Sequence, residues 1–130
     1  MLHLPQNKEL QAIRQTIQAY IDGLQNGDVD LLRTAFHSKA MMYSMTGNEE
    51  MAVEIEGLYA FAAGHDSPSK TGEPHNCVIT HIHYTGNVAN VEMMQEACFG
   101  SDYMNYFQLL KTGGKWTIVS KTYTGEQSKK

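Results

Sequence analysis

The sequence predicts an α+β fold in which helices come first and a long antiparallel meander follows. Three observations predict it. Ile13, Ile17, Tyr20, Ile21 and Leu24 recur at helical spacing and form one apolar stripe. After Ala40 the apolar residues alternate instead, with Met51, Val53 and Ile55 set against Ala52 and Glu54. Near the carboxy terminus, Gly113-Gly114 separates the alternating runs YMNYFQLLKT and KWTIVSKTY, a strong hairpin signal.

The elements follow in order. The stripe predicts a helix over roughly residues 8–26, with Asn7 as N-cap and Gly27 as its stop. Asp28 can cap a second, short helix burying Leu31, Leu32, Ala35 and Phe36. The short link makes the two helices antiparallel neighbours. Ala40 to Thr46 reads as a strand that Gly47-Asn48 turns into Met51 to Ile55. A short helix from Leu58 to Ala63 stops at Gly64, and HDSPSKTGEP is a loop. The remaining strands are Asn76 to Tyr84, Val88 to Phe99, Tyr103 to Thr112 and Lys115 to Tyr123.

The turns set registers. A two-residue turn at Gly86-Asn87 puts Ile82 opposite Val91 and Thr80 opposite Met93. Strict alternation then groups Val78, Thr80 and Ile82 with Ala89, Val91, Met93 and Gln95, and sends Cys77, Ile79, His81 and His83 to the other face. The Gly113-Gly114 turn puts Leu109 opposite Ile118, Phe107 opposite Ser120 and Asn105 opposite Thr122. A three-residue loop, Phe99-Gly100-Ser101, keeps the apolar faces continuous and sets Gln95 opposite Asn105.

Composition narrows the function classes. The 130 residues fit one domain, residues 1–130, with a real core, and 42% hydrophobic against 18% charged residues marks a globular chain. A net charge of −4 with scattered basic residues argues against a nucleic-acid partner. The terminal Lys129-Lys130 pair reads as a solvated tail. Cys77 and Cys98 form no disulfide framework and no CxxC pattern. MLHLPQNKEL does not read as a signal peptide, and no apolar stretch reaches the ~18–20 residues that cross a bilayer. A cytoplasmic protein without a membrane partner is the expectation. No phosphate-binding loop of the Walker or dinucleotide type is present, and no cofactor is expected.

Three segments then carry a resemblance: TIQAYIDGLQNGDVDLLRTAFHSKA, VITHIHYTGNVANVEM and NYFQLLKTGGKWTIVSK. Within them stand a Y-x-x-G-x-x-x-G-D helix, an A-F-H exit and a Y-F-x-L-x-K…W-x-I-x-x-K hairpin. Taken as a set and in this order, they resemble the nuclear transport factor 2-like superfamily, also called the ketosteroid-isomerase or SnoaL-like fold. More narrowly they resemble its putative lumazine-binding branch. The resemblance implies a cone: a curved antiparallel sheet wrapped around three helices from the amino-terminal half, with a cavity on the concave face. It also implies a homodimer through the outer sheet face. Members include isomerases, cyclases and dehydratases, and many that only bind, so the fold does not supply the chemistry. Close relatives commonly carry Asp where this chain has Asn105, and an amide cannot serve as a general base.

On this reading the concave face collects Tyr20, His37, Tyr43, Gln95, Tyr103, Asn105 and Ser120, lined by Phe61, Met93, Phe107 and Trp116. Apolar walls with a few convergent polar groups are the usual form of a small-molecule site. The alternative is a plain core with satisfied polar groups. Gln95 facing Asn105 favours a cavity, because two buried amides without partners would cost several kcal/mol each, in the ~2–7 range. His37 is the acid–base candidate, since imidazole titrates near neutral pH. Its alternative role is to bond the last carbonyls of the second helix. His81 and His83 share a face with Glu92, which invites a metal reading, but that face lies opposite the expected cavity and no metal is expected. Tyr106, Leu110, Val119 and Lys121 on that face read as a mixed dimer patch, and His75 as a solvated loop residue. The leading expectation is a small-molecule-binding protein. The alternatives are an isomerase, cyclase or dehydratase acting on a small carbonyl compound, and a dimerisation module without a ligand.

Overall fold

The computed structural model describes residues 5–128. Lys129 and Lys130 lie outside the described residues. Helix α1 runs from Pro5 to Asn26, so Asn7 lies within its first turn and is not its cap. Proline suits such a start, because its fixed φ and missing N–H cost nothing there. Gly27 ends the helix in the left-handed conformation, φ +64°. Asp28 caps α2 (Val29–Ala35), its carboxylate accepting the Leu31 N–H at 3.1 Å. Gly23 explains the close fit of the pair: a Cβ there would stand 2.7 Å from Leu32.

Strand β1 (Phe36–Thr46) begins directly after α2 and turns at Gly47-Asn48 into β2 (Glu49–Glu54). Helix α3 (Glu56–Gly64) and the short α4 (Pro68–Thr71) follow. Then come β3 (Asn76–Thr85), β4 (Val88–Cys98), β5 (Ser101–Thr112) and β6 (Lys115–Gln127). The strands form one curved, unclosed sheet in the order β2-β1-β6-β5-β4-β3. All neighbours are antiparallel except β1 and β6, which pair in parallel. The α1 stripe packs on the concave face, burying Ile13, Ile17, Tyr20 and Leu24 against Val91, Met93, Phe107 and Ile118.

Three bulges overturn the strict alternation assumed from sequence. In β3, Ile79 pairs with Met93 but His81 with Glu92, leaving Thr80 as the extra residue. Cys77 and Ile79 therefore turn inward, and Val78 is 59% exposed. In β6, Leu109 pairs with Ile118 but Gln108 with Ser120, so Val119 is extra. Phe107 then faces Lys121 instead of Ser120, and Asn105 faces Tyr123 instead of Thr122. In β4, Ala97 (φ +59°) is extra, its N–H held by the Asp102 carboxylate at 2.8 Å. The β4–β5 turn is accordingly a two-residue one, Phe99-Gly100, with both residues left-handed. Gln95 faces Tyr103, and Met93 faces Asn105. Bulges bend a strand and raise its twist, which is how this sheet curves around the helices.

Candidate functional site

Between α1, α3 and the concave sheet face lies a cavity of about 300 Å³. One side is apolar: Leu24 from α1, Met42 from β1, Val53 from β2, and Leu58 and Phe61 from α3. Tyr103, Lys121 and Tyr123 form the sheet side, and Tyr20 with Gln95 lie at its inner end. Depressions of about 280–460 Å³ also occur elsewhere, among them one beside Glu9 and Lys111. Two of them are lined by strand residues, and the one beside Glu9 and Lys111 lies between the start of α1 and the sheet edge with mostly charged walls; none has the apolar lining of the first.

The inner end is a hydrogen-bond network around Gln95, 2% exposed. Its Oε1 accepts from Tyr20 Oη at 3.0 Å and from Asn105 Nδ2 at 2.7 Å. Its Nε2 lies 3.0 Å from His75 Nε2. His75 Nδ1 in turn lies 2.9 Å from Gln25 Oε1, which only a protonated Nδ1 can satisfy. The His75 tautomer is thereby fixed, with Nε2 as the acceptor for Gln95 and for the Cys77 thiol at 3.3 Å. Burial lowers the His75 pKa, consistent with a neutral ring, and raises that of Tyr20 well above the ordinary phenol value. Among the buried polar atoms here, Asn105 Oδ1 alone has no partner.

Lys121 stands differently. The residue is 5% exposed and lines the cavity, and its Nζ enters no hydrogen bond or ion pair among the described residues. Its contact is the face of the Tyr123 ring, 3.6 Å from the centroid, with the Tyr20 ring farther off at 6.0 Å. Burial pulls its ammonium down to about 7. Cys98, whose thiol burial pushes up to about 12, shares the cavity wall.

The expected site residues divide. Tyr20, Phe61, Gln95 and Tyr103 meet at the cavity. Asn105 lies behind Gln95, fully buried, and Phe107 packs edge-on against the Tyr20 ring at 5.2 Å as part of the core. Met93 is also core, and Trp116 sits elsewhere, its Nε1 donating to Glu9 at 3.1 Å. The other three placements change. Ser120 follows the Val119 bulge to the convex face, where its hydroxyl donates to Gln108 at 3.5 Å. Tyr43 is 41% exposed beside Thr122, because its neighbour Met42 takes the inward position. His37 belongs to β1 and not to a helix end, and its Nδ1 accepts the Lys39 N–H at 3.0 Å, away from the cavity.

Sequence reasoning missed Lys121, Tyr123 and His75. The first two required the Val119 bulge, which no glycine marks. His75 reads as a loop residue but is 7% exposed. The one signal for it is Gln95: a buried amide needs a second partner, and histidine two residues before an inward Cys77 is in reach. His81 pairs with Glu92, and the His81 and His83 rings lie 6.4 Å apart. No group of three His, Cys, Asp or Glu suited to a metal occurs among the described residues.

Comparison with known proteins fits this architecture. A nuclear transport factor 2-like protein of unknown function from Shewanella baltica matches with a TM-score of 0.87 and 27% identity, over 97% of this chain and 100% of that one. A second such protein of unknown function, from Silicibacter pomeroyi, gives a TM-score of 0.83 at 18% identity, over 95% and 100%. A ketosteroid isomerase-like protein from Erwinia carotovora atroseptica gives 0.66 at 14%, over 92% and 97%, a likeness of fold alone. No protein of curated function matches. The family model described as "Putative lumazine-binding" matches residues 8–124, from α1 into β6, and the chain belongs to that family, within the nuclear transport factor 2-like superfamily.

Proposed function

We propose that this chain is a small-molecule-binding protein whose ligand occupies the cavity between α3 and the concave sheet face. One observation carries the reading: a cavity of about 300 Å³ whose apolar walls lead to a few polar groups at its inner end. That size is at the lower end of ligand pockets, and the composition is typical of them. The aromatic rings of Phe61, Tyr103 and Tyr123 suit a flat ligand. Tyr20, Phe61, Gln95 and Tyr103 are the contacts retained from sequence. The family's description makes lumazine, a flat bicyclic pteridinedione, a sensible first probe.

Gly57 supplies the test. It lines the cavity from α3, and a Cβ there would stand 3.8 Å or more from its neighbours, Val53 and Met42. Gly57→Leu should fill the cavity while improving helix propensity by about 1 kcal/mol. Native mass spectrometry should then find a small molecule, co-purified or added as lumazine, on the wild type and none on the variant. Equal occupancy of both proteins would refute the cavity as the site.

An isomerase, cyclase or dehydratase remains the second reading, and Lys121 favours it, since an amine near 7 can exchange protons at neutral pH. His37 would have no part in that chemistry from its present place. We also infer a homodimer through the convex face, supported by two rows across the sheet: Val78–Met94–Met104 and Tyr106–Thr122–Tyr43. Tyr106, Tyr43, Met94 and Val78 are exposed there. Tyr106→Glu should yield monomers by light scattering; a variant that stays dimeric would exclude this interface. A reducing, cytoplasmic setting is consistent with two free thiols, both turned inward among apolar groups.

A further inference from the structure

We propose that the ligand is a small organic acid with an apolar body, its carboxylate seated against Lys121 Nζ and its body against the apolar wall of α3 and β2. This rests on the cavity being the binding site and adds the class of molecule that fills it. The geometry carries it. An ammonium is a cation with three donors, and this one belongs to a residue only 5% exposed, lines the cavity and makes no hydrogen bond or ion pair among the described residues. Buried cations are ordinarily paired, because an aromatic face replaces only part of the lost hydration.

No counter-ion comes from the walls. Helix α3 and strands β1 and β2 bring only apolar side chains and Gly57, and among the described residues no Asp or Glu lines the cavity. The titratable groups facing Lys121 are Tyr20 from α1, Cys98 from β4, Tyr103 from β5 and Tyr123 from β6. Burial raises the pKa of Tyr20, Cys98 and Tyr103, so these carry no charge at neutral pH. Gln95 has no donor to spare, since one Nε2 hydrogen goes to His75 at 3.0 Å and the other to Cys98 Sγ at 3.6 Å. One cation with free donors and no second positive group matches a single negative charge. A phosphate dianion would ask for more donors than the site holds.

The test uses matched pairs of an acid and its alcohol: benzoate with benzyl alcohol, cinnamate with cinnamyl alcohol, and 2-naphthoate with 2-naphthalenemethanol. Each is titrated calorimetrically into the full chain at pH 6. The acid of at least one pair should bind about tenfold or more tightly than its alcohol, the factor a charged hydrogen bond supplies. In Lys121→Met, with folding confirmed by circular dichroism, the ratio should fall to about one. Should that variant not fold, the wild type decides alone. Its affinity for the acid should fall as the pH rises past about 7, where Lys121 loses its proton, while that for the alcohol stays level. Equal binding of acid and alcohol, or an acid preference that survives Lys121→Met or ignores pH, overturns the carboxylate while the cavity reading stands. Failure of all six compounds, with lumazine occupancy equal in wild type and Gly57→Leu, overturns both.

Discussion

Lys111 and Lys121 stand on adjacent strands and are treated in opposite ways. Lys111 reaches Glu9 on α1 at 2.6 Å, and the same carboxylate accepts Trp116 Nε1 at 3.1 Å. The Trp116 carbonyl accepts Thr16 Oγ1 from α1 at 2.9 Å. At that end of the sheet the charged groups satisfy one another and tie helix to hairpin, and the buried polar atom left without a partner is the neutral hydroxyl Thr117 Oγ1. At the cavity end, Lys121 lies over an aromatic ring without an anion, and Asn105 Oδ1 is buried without a donor. An end that only holds the fold together can close its own electrostatics. An end left open costs stability, and the natural reason to keep it is an outside group that completes it.

The largest expected effect comes from removing the open end's charge. Lys121→Met should stabilise the unliganded protein by roughly 2–4 kcal/mol at pH 6, in line with replacing a poorly paired buried ion by an apolar residue. The sign follows from the lowered amine. Its ordinary value of 10.5 falls to about 7 in the fold. Between those values the unfolded chain holds a proton that the folded chain has lost, so wild-type stability rises with pH across that window. The advantage of the variant is therefore greatest below 7 and shrinks toward 10.5. Urea unfolding at pH 6 and 9 checks this; an advantage that does not change with pH would show that the amine is not held in an unfavourable state.

A second substitution makes the two ends alike. Phe107 faces Lys121, so Asn105 is its diagonal neighbour across the β5–β6 pair, within reach of a long side chain. Asn105→Asp should supply the missing anion and move the lysine's titration upward, seen by ¹⁵N NMR. It should also erase any preference for organic acids. An unmoved titration would show that position 105 does not address Lys121.

The two ends also differed in how far they could be read from sequence. The closed end was legible in its elements: the α1 stripe and the Gly113-Gly114 hairpin set Leu109 opposite Ile118 as expected. At the open end Tyr20 was legible from the α1 stripe, and Gln95 and Tyr103 because parity from the nearest turn held or slipped by two, which keeps a residue on its face. Lys121 and Ser120 exchanged faces because a bulge slips by one. Thr80, Ala97 and Val119 are ordinary residues, and only the curvature of the finished sheet requires them to bulge. The cavity's most distinctive group was therefore assigned to the outer surface.

A milder change tests the Gln95 network. Tyr20→Phe removes one of two donors to Gln95 Oε1 and leaves Asn105 Nδ2 in place. The ring keeps its edge contacts with Phe36 and Phe107. A loss of about 1 kcal/mol by urea unfolding is expected, as for one hydrogen bond. A much larger loss would mean that the hydroxyl holds the network together, and Gln95 would then be positioned by α1 and not by the sheet.

The smallest effect belongs to the closed end. Glu9→Gln keeps the shape of the side chain but removes the charge that Lys111 and Trp116 address. Hydrogen bonds from Lys111 and Trp116 lower the Glu9 pKa in the fold, so their contribution is present above the ordinary carboxylate range. It disappears as the pH falls through the lowered value. The Tm of the variant should therefore lie slightly below that of the wild type at pH 7, and the gap should close in acid. Both groups are partly solvated, so added salt should also narrow it. Lys121 has no such partner to screen, and its contribution to unliganded stability should barely respond to salt. If the two lysines responded to salt alike, the contrast between a closed end and an open one would collapse, and Lys121 would be an ordinary solvated charge.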